Sequence, residues 1–126
     1  MLKNADAEAL MQDAKSMQSA ALERLAEDDW RDAAEKTWCA ARNATEALVL
    51  EVDESESQRS TKIEVAMRNI ARRRGGEWVR LRSLYSDIVH YLHAEALYEG
   101  AYTDDVPELV REGTAFVELA EKLAQS

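Results

Sequence analysis

His90 and two arginines upstream of it, Arg80 and Arg82, are the residues of this sequence best suited to acid–base chemistry. An imidazole changes charge near neutral pH and can transfer a proton, while a guanidinium group holds phosphate oxygens. Together they would suit an enzyme that cleaves RNA or processes nucleotides. Seven residues separate Arg82 from His90, so on one helix the two side chains could line a common face without standing adjacent. Arg82 and His90 are therefore the catalytic candidates.

Metal-dependent and covalent chemistry have weaker support in the sequence. His90 and His93 are three residues apart and could share a helical face, but no Glu-x-x-His motif of the kind used by di-metal bundles occurs. His93 is expected instead to be buried and hydrogen-bonded among apolar neighbours. Cys39 stands among alanines and is expected to be a small packing residue. Gly75 and Gly76 lack the Lys-Ser/Thr of a phosphate-binding loop. We predict no metal and no cofactor.

Residues 59–82 form a basic segment in an acidic chain. They contain eight Lys or Arg residues against two glutamates, a local charge of +6, whereas the whole chain carries −9. Most of such a surface would repel phosphates, which argues against a general nucleic-acid binder. The segment could still bind an anion, an acidic partner or another subunit. Arg72, Arg73, Arg74 and Arg80 are its binding candidates, although the first three would also suit the C-terminal dipole of a solvated helix.

Glu35 precedes Lys36, which forms an expected surface pair with Asp32 four positions earlier. Glu35 itself is a candidate to point toward the protein interior. There it would meet His93 or an arginine and fix the register between two helices. Glu35 and His93 are therefore added to the binding candidates.

The elements that would position these residues are helices. Gly and Pro are scarce, four and one in 126 residues, while Ala, Leu, Glu, Arg and Lys dominate. Apolar residues recur at helical spacing over about 5–27, 29–52, 57–74, 77–99 and 105–125. The acidic, apolar-free run DESESQRS after Val52 predicts a loop leading into the third of these. We predict an all-α protein, a four- to five-helix up-and-down antiparallel bundle forming a single domain over residues 1–126.

Helix ends and the core can also be predicted. Asn4 suits the N-cap of the first helix, and Asp28 with Asp29 suits a short turn that caps the second. Gly113 weakens the last helix by about 1 kcal/mol relative to alanine. The second helix carries a stripe rich in small residues, which favours close packing in the core. Its members are Trp30, Ala34, Thr37, Ala41, Ala44 and Leu48.

Location and assembly follow from other features. The single cysteine excludes an internal disulfide and suits a reducing cytoplasm. The sequence has no secretory signal, and no stretch approaches the ~18 apolar residues of a membrane span. We predict a cytoplasmic protein without a membrane partner. The aromatic residues late in the chain exceed what one helix and its following turn can bury, which favours a homodimer; they are Trp78, Tyr85, Tyr91, Tyr98 and Tyr102.

Two segments carry a family resemblance. DDWRDAAEKTWCAARNATEAL spans residues 28–48, and YLHAEALYEG spans residues 91–100, just before the last helix. Together they resemble the PaREP family of small, mainly archaeal helical proteins, which belong with the HEPN-like (higher eukaryote and prokaryote nucleotide-binding) domains. The resemblance implies an up-and-down helical bundle. It also implies a comparison with the HEPN endoribonucleases, which use an arginine followed four to six positions later by a histidine.

This sequence departs from that arginine–histidine spacing, and family members without it are non-catalytic modules that are often dimeric. The resemblance therefore implies a non-enzymatic HEPN-like binding or assembly module with a nucleotide, RNA or protein partner. One alternative is a HEPN-type ribonuclease or nucleotide-processing enzyme that uses Arg80 or Arg82 with His90. Another is a tetratricopeptide-like adaptor, since the first two helices resemble one such pair, although no second copy occurs.

Overall fold

The computed structural model describes residues 1–98, 100 and 103–126, and this part of the chain is helical without a strand. The prediction of an all-α protein is confirmed. Six α-helices and one π-helical segment follow one another, because the third predicted helix is divided. They are α1 (Ala5–Ala26), α2 (Trp30–Val52), α3 (Glu54–Arg59), α4 (Ile63–Arg74), α5 (Glu77–Asp87), the π segment (Ile88–Tyr98) and α6 (Asp105–Ala124).

The first two helices form a hairpin with the predicted caps. The side chain of Asn4 accepts a hydrogen bond from the backbone of Ala7 at 3.0 Å. Asp28 adopts a left-handed conformation with φ 61°, and Asp29 then accepts from the backbone of Asp32 at 3.2 Å. A turn this short brings α2 back along α1, and these two helices share the most extensive contact in the described chain.

The predicted loop after Val52 and the predicted continuous helix over 57–74 are both wrong. Residues 54–59 form α3, and α4 begins only at Ile63. Asp53 caps α3 through a hydrogen bond from the backbone of Glu56 at 3.1 Å. Ser60 then breaks the helix with an extended backbone. A cap can hold a short polar helix that hydrophobic periodicity does not predict.

Gly75 and Gly76 end α4 and start α5, as predicted. Both have positive φ, 64° and 58°, a conformation that glycine adopts without strain. From Glu77 the helix runs through α5 into the π segment without interruption, since the backbone of Ile88 donates to the carbonyls of Leu84 and Tyr85. The predicted extent is confirmed as far as residue 98, whereas residue 99 lies outside the described residues.

Helix α2 is the core element. Its small residues are completely buried, and α2 contacts α1, α3, α4, the π segment and α6. The predicted packing stripe is therefore confirmed, with Trp30 half-buried at one end and Leu48 buried at the other. The fully buried alanines, each at most 1% exposed, are Ala33, Ala34, Ala40, Ala41, Ala44 and Ala47.

Gly113 has a packing reason. A Cβ atom at this position would lie 2.6 Å from Cγ2 of Thr37 and 2.7 Å from Oε1 of Gln18. Gln18 is buried and donates a hydrogen bond of 2.7 Å to the carbonyl of Val110. The missing side chain thus lets α6 approach α1 and α2 closely, which offsets the weak helix propensity of glycine.

Among the described residues, no helix combines the length and the apolar character needed to cross a membrane.

Candidate functional site

A cleft lies between α2, the connection from α3 to α4, and α5. It has a volume of about 400 Å³, which falls within the roughly 300–1,000 Å³ of small-molecule sites. Its walls combine aromatic, cationic and acidic side chains. Those that matter for recognition are Trp38, Arg42, Glu46, Lys62, Glu64 and Tyr85.

Trp38 forms the aromatic wall of the cleft, and its ring is supported by an aromatic contact within the protein. Its ring stacks on that of His93 in the π segment, with centroids 3.9 Å apart and planes within 5°. The guanidinium of Arg42 lies 6.0 Å from the centroid of the Trp38 ring, at the outer limit of a cation–π contact. Burial lowers the pKa of His93, so the imidazole that supports Trp38 is neutral at pH 7.

Four charged side chains line the cleft. Arg42 and Glu46 are one turn apart on α2, while Lys62 and Glu64 stand at the start of α4. Within the described residues, none of the four forms a hydrogen bond or an ion pair. The cleft therefore presents two cations and two carboxylates that form no ion pair with another described residue.

Tyr85 contributes a hydroxyl group to the same cleft. The residue as a whole is only 5% exposed, but its hydroxyl is accessible from the cleft and makes no hydrogen bond with a described residue. Burial and the nearby carboxylate of Glu64 raise the pKa of Tyr85 to about 12, while Arg42 acts in the opposite direction. The hydroxyl keeps its proton at neutral pH and can donate to a bound molecule.

The N-terminus of α4 opens on this cleft as well. Lys62 is the N-cap residue and its side chain makes no capping hydrogen bond. The first backbone N–H groups of a helix lack intrahelical partners and carry partial positive charge. Arg42, Lys62 and the start of α4 thus supply positive charge to the cleft, beside the carboxylates of Glu46 and Glu64.

The predicted arginine cluster at the end of α4 does not act as one patch. Arg73 forms ion pairs with Asp53 at 2.9 Å and Glu56 at 3.0 Å. Arg74 lies over the ring of Trp78 at 5.7 Å, and Arg72 is exposed. Arg73 therefore has a structural role that was not predicted, since its ion pairs link α4 to α3.

Glu56 is the centre of this link, and sequence reasoning missed it. The residue is 3% exposed and accepts hydrogen bonds from Arg73, Ser60, Asn69 and Arg59. These donors, Arg73 foremost, lower its pKa to about 2. A signal was available in the sequence, since Glu56 follows the Asp53 cap by three positions, the spacing of a capping box.

The remaining candidates lie elsewhere. Arg80, Arg82 and His90 are exposed on α5 and the π segment, outside the residues that line the cleft. The ring of His90 meets that of Tyr91 edge-on at 4.7 Å. The structure thus places the catalytic candidates on one continuous helix at the surface.

The expected inward position of Glu35 is wrong. Its side chain is exposed and lies beside Cys39 in a groove between α1 and α2. Trp38, three residues later, contacts His93 in its place. Burial, followed by the charge of Glu35, raises the pKa of Cys39, so the thiol stays protonated; the residue is half-buried at the groove and not part of the core.

Two of the five aromatic residues on which the dimer prediction rests are buried within the single chain. Trp78 and Tyr85 are 4% and 5% exposed within a single chain. Tyr91 is 38% exposed, while the side chain of Tyr98 and all of Tyr102 lie outside the described residues. Where side chains are described, no three His, Cys, Asp or Glu residues come together as metal ligands.

Comparison with known proteins adds one finding. The sequence pattern that defines the archaeal PaREP1/PaREP8 family matches residues 9–112. No curated protein matches the chain, and no solved structure matches it. The two segments that carry the resemblance, 28–48 and 91–100, contain the two residues of the Trp38–His93 stack.

Proposed function

Since the chain belongs to the archaeal PaREP1/PaREP8 family, we propose that it is a non-enzymatic, HEPN-like binding module whose ligand site is the cleft between α2, the start of α4 and α5. The observation that carries the proposal is that an aromatic ring, two cations and the Tyr85 hydroxyl face the same cleft. A concave pocket that combines an apolar wall with a few convergent polar groups is the usual form of a small-molecule site.

The ligand is a small anionic molecule, and a nucleotide has the right chemistry. Arg42 and Lys62 supply positive charge to the cleft. Trp38 supplies an apolar wall, and its ring is already fixed by stacking on His93. A wall held in place before binding loses little entropy when the ligand arrives.

The direct test is calorimetric titration with adenosine 5′-monophosphate (AMP). Arg42→Ala and Lys62→Ala should each weaken binding about 10-fold or more, since a hydrogen bond to a charged group contributes about 1.5–3 kcal/mol. The matched control is Arg31→Ala, because Arg31 is exposed on the same helix and lies outside the cleft. Binding that Arg31→Ala weakens as much as Arg42→Ala would be non-specific and would contradict the proposal.

The same titration with a short RNA examines the basic segment 59–82. If Arg72→Ala and Arg80→Ala weaken RNA binding while Arg42→Ala does not, the ligand binds that segment and the cleft is not the site. If the partner is instead a protein that binds this segment, Arg72→Ala and Arg80→Ala should weaken its binding while Arg42→Ala does not. In that case the chain should not bind AMP.

We also propose that the module is a homodimer. Val79 on α5 and Tyr91 on the π segment keep apolar surface exposed, at 52% and 38%. Apolar and aromatic side chains of this kind are favoured in the cores of interfaces.

A further inference from the structure

The cleft carries as much negative as positive charge, which a site for a simple anion would not need. Glu46 and Glu64 line it together with Arg42 and Lys62. Arg42 and Glu46 are four positions apart on α2, where opposite charges commonly pair. Here Arg42 lies over Trp38 instead, and in the described chain Glu46 has no ion-pair or hydrogen-bond partner.

The two carboxylates would oppose a ligand that is only an anion. Like charges within a few ångströms repel, and the effect grows in a partly enclosed site where water screens less. The attraction of Arg42 and Lys62 would then be largely cancelled. A ligand that also carries N–H donors turns the same carboxylates into acceptors of charge-assisted hydrogen bonds.

Tyr85 adds a neutral donor and acceptor to the same cleft. The residue is 5% exposed, and it is close enough to both Glu64 and Arg42 to interact electrostatically with them. Its hydroxyl can donate to one ligand atom while accepting from another. Backbone N–H groups at the start of α4 add further donors.

We propose that the cleft selects an amphoteric ligand, a molecule with an anionic group for Arg42 and Lys62 and with N–H donors for Glu46 and Glu64. This inference rests on the proposed function, because it takes the cleft as the ligand site. It assigns Glu46 and Glu64 as specificity-determining residues. Discrimination of this type is strong, since a ligand without the donors leaves polar groups of the site unpaired.

A matched pair of probes separates donor recognition from simple charge attraction. AMP and inosine 5′-monophosphate (IMP) carry the same phosphate and ribose, but AMP has an exocyclic amino group with two N–H donors, whereas IMP has a carbonyl oxygen at that position and a single N–H donor on the neighbouring ring nitrogen. Titration of the full chain at pH 7 should show AMP binding about 10-fold tighter than IMP, the lower range for one well-formed polar contact.

The double variant Glu46→Gln/Glu64→Gln should weaken AMP binding and strengthen IMP binding, so that the preference falls to within about twofold. Glu54→Gln is the matched control, because Glu54 is exposed and lies outside the cleft; it should leave both affinities unchanged. Tyr85→Phe should weaken AMP binding at least threefold while the protein still melts cooperatively.

The outcomes distinguish the two proposals. If the double variant strengthens AMP and IMP equally, the carboxylates only repel anions, and donor selection is wrong while the ligand site stands. If wild-type protein binds AMP and IMP equally, selection by the exocyclic amino donors is also wrong. If neither probe binds wild-type protein, or if Arg42→Ala leaves both affinities unchanged, the cleft is not the ligand site. The proposed function is then wrong, and donor selection by the cleft is wrong with it.

Discussion

Gly113 lies where α6 meets α1 and α2, and the absence of a side chain there sets how closely these helices approach. Alanine would improve helix propensity by about 1 kcal/mol. Its Cβ would, however, lie 2.6 Å from Cγ2 of the fully buried Thr37. Overpacking of a core costs about 1–3 kcal/mol, and a methyl group on a β-branched side chain cannot move aside as the end of Gln18 can.

We therefore expect Gly113→Ala to lower the free energy of unfolding by about 1–2 kcal/mol, measured by urea denaturation. Thr37→Ser removes Cγ2, so combining it with Gly113→Ala should recover part of that loss. Additive effects of the two substitutions would show that the contact does not limit the approach of α6.

Glu56 makes stability depend on pH in a defined direction. Four side chains donate to its carboxylate, and its folded-state pKa is about 2 against an ordinary value of 4.5. A group whose pKa is lowered by folding stabilises the protein fully above its unfolded pKa. That contribution is lost as the pH falls from about 4.5 to about 2.

Glu56→Gln should therefore unfold at lower urea concentration than wild type at pH 7, and the difference should shrink steadily below pH 4.5. The neutral amide resembles the protonated carboxyl, so the two proteins converge in acid. Glu54→Gln is the control, because Glu54 is exposed and lies in the same short helix α3. This variant should show neither effect. A difference that stays constant down to pH 2.5 would contradict the role of Glu56.

At the scale of elements, α3 depends on one residue. Asp53 ends α2, since its N–H donates to Val49, and its side chain caps α3 through Glu56 and binds Arg73. Helix α3 in turn leads into Ser60 and Thr61, which line the cleft. Loss of this cap should loosen both the helix and that wall.

Asp53→Ala should cost about 1–2 kcal/mol of unfolding free energy, the typical effect of removing an N-cap. Asp53→Asn keeps a capping oxygen but loses the charge that faces Arg73, so it should retain most of the stability at pH 7. Urea titrations of the two variants make the comparison. Equal losses would mean that the ion pair to Arg73, rather than the cap, holds α3.

These elements also show what the sequence could predict. Asn4, Asp29 and the Gly75–Gly76 pair act within a few residues of where they stand, and local backbone chemistry was enough to place them. Helix α3 was missed because it is short and polar, so that hydrophobic periodicity does not mark it, and because Glu56 is held in part by Arg73, 17 residues further along the chain. Periodicity likewise located the helix after Gly76 without revealing its change to π winding, since apolar spacing is similar in both.

At the scale of the whole molecule, the candidate site was the least predictable feature. Trp38 and His93 are distant in sequence, and their contact depends on how the π segment packs against α2. The basic segment was visible as a charge pattern, but the pattern could not show that Arg73 is engaged by buried and half-buried carboxylates. Both facts belong to tertiary packing, which single-sequence patterns do not encode.

Assembly is tested at this same scale. Sedimentation velocity at tens of micromolar should show a species of twice the 14.2 kDa chain mass. Val79→Asp should shift it to monomer, because a charge in an apolar interface core is costly to desolvate. Leu22→Asp changes a similarly exposed residue on α1 and should leave the dimer intact. A wild-type protein that sediments only as monomer would exclude the homodimer.

The central position of α2 has a consequence for hydrogen exchange. This helix contacts α1, α3, α4, the π segment and α6, so exposing its central amides requires separating most of the protein. The amides of Ala40, Ala41 and Ala44 should exchange only through global unfolding, at rates that follow the global free energy. Amides in the six-residue α3 should exchange much faster, by local opening. The ratio of the two exchange rates measures how readily α3 unfolds while the other helices stay folded.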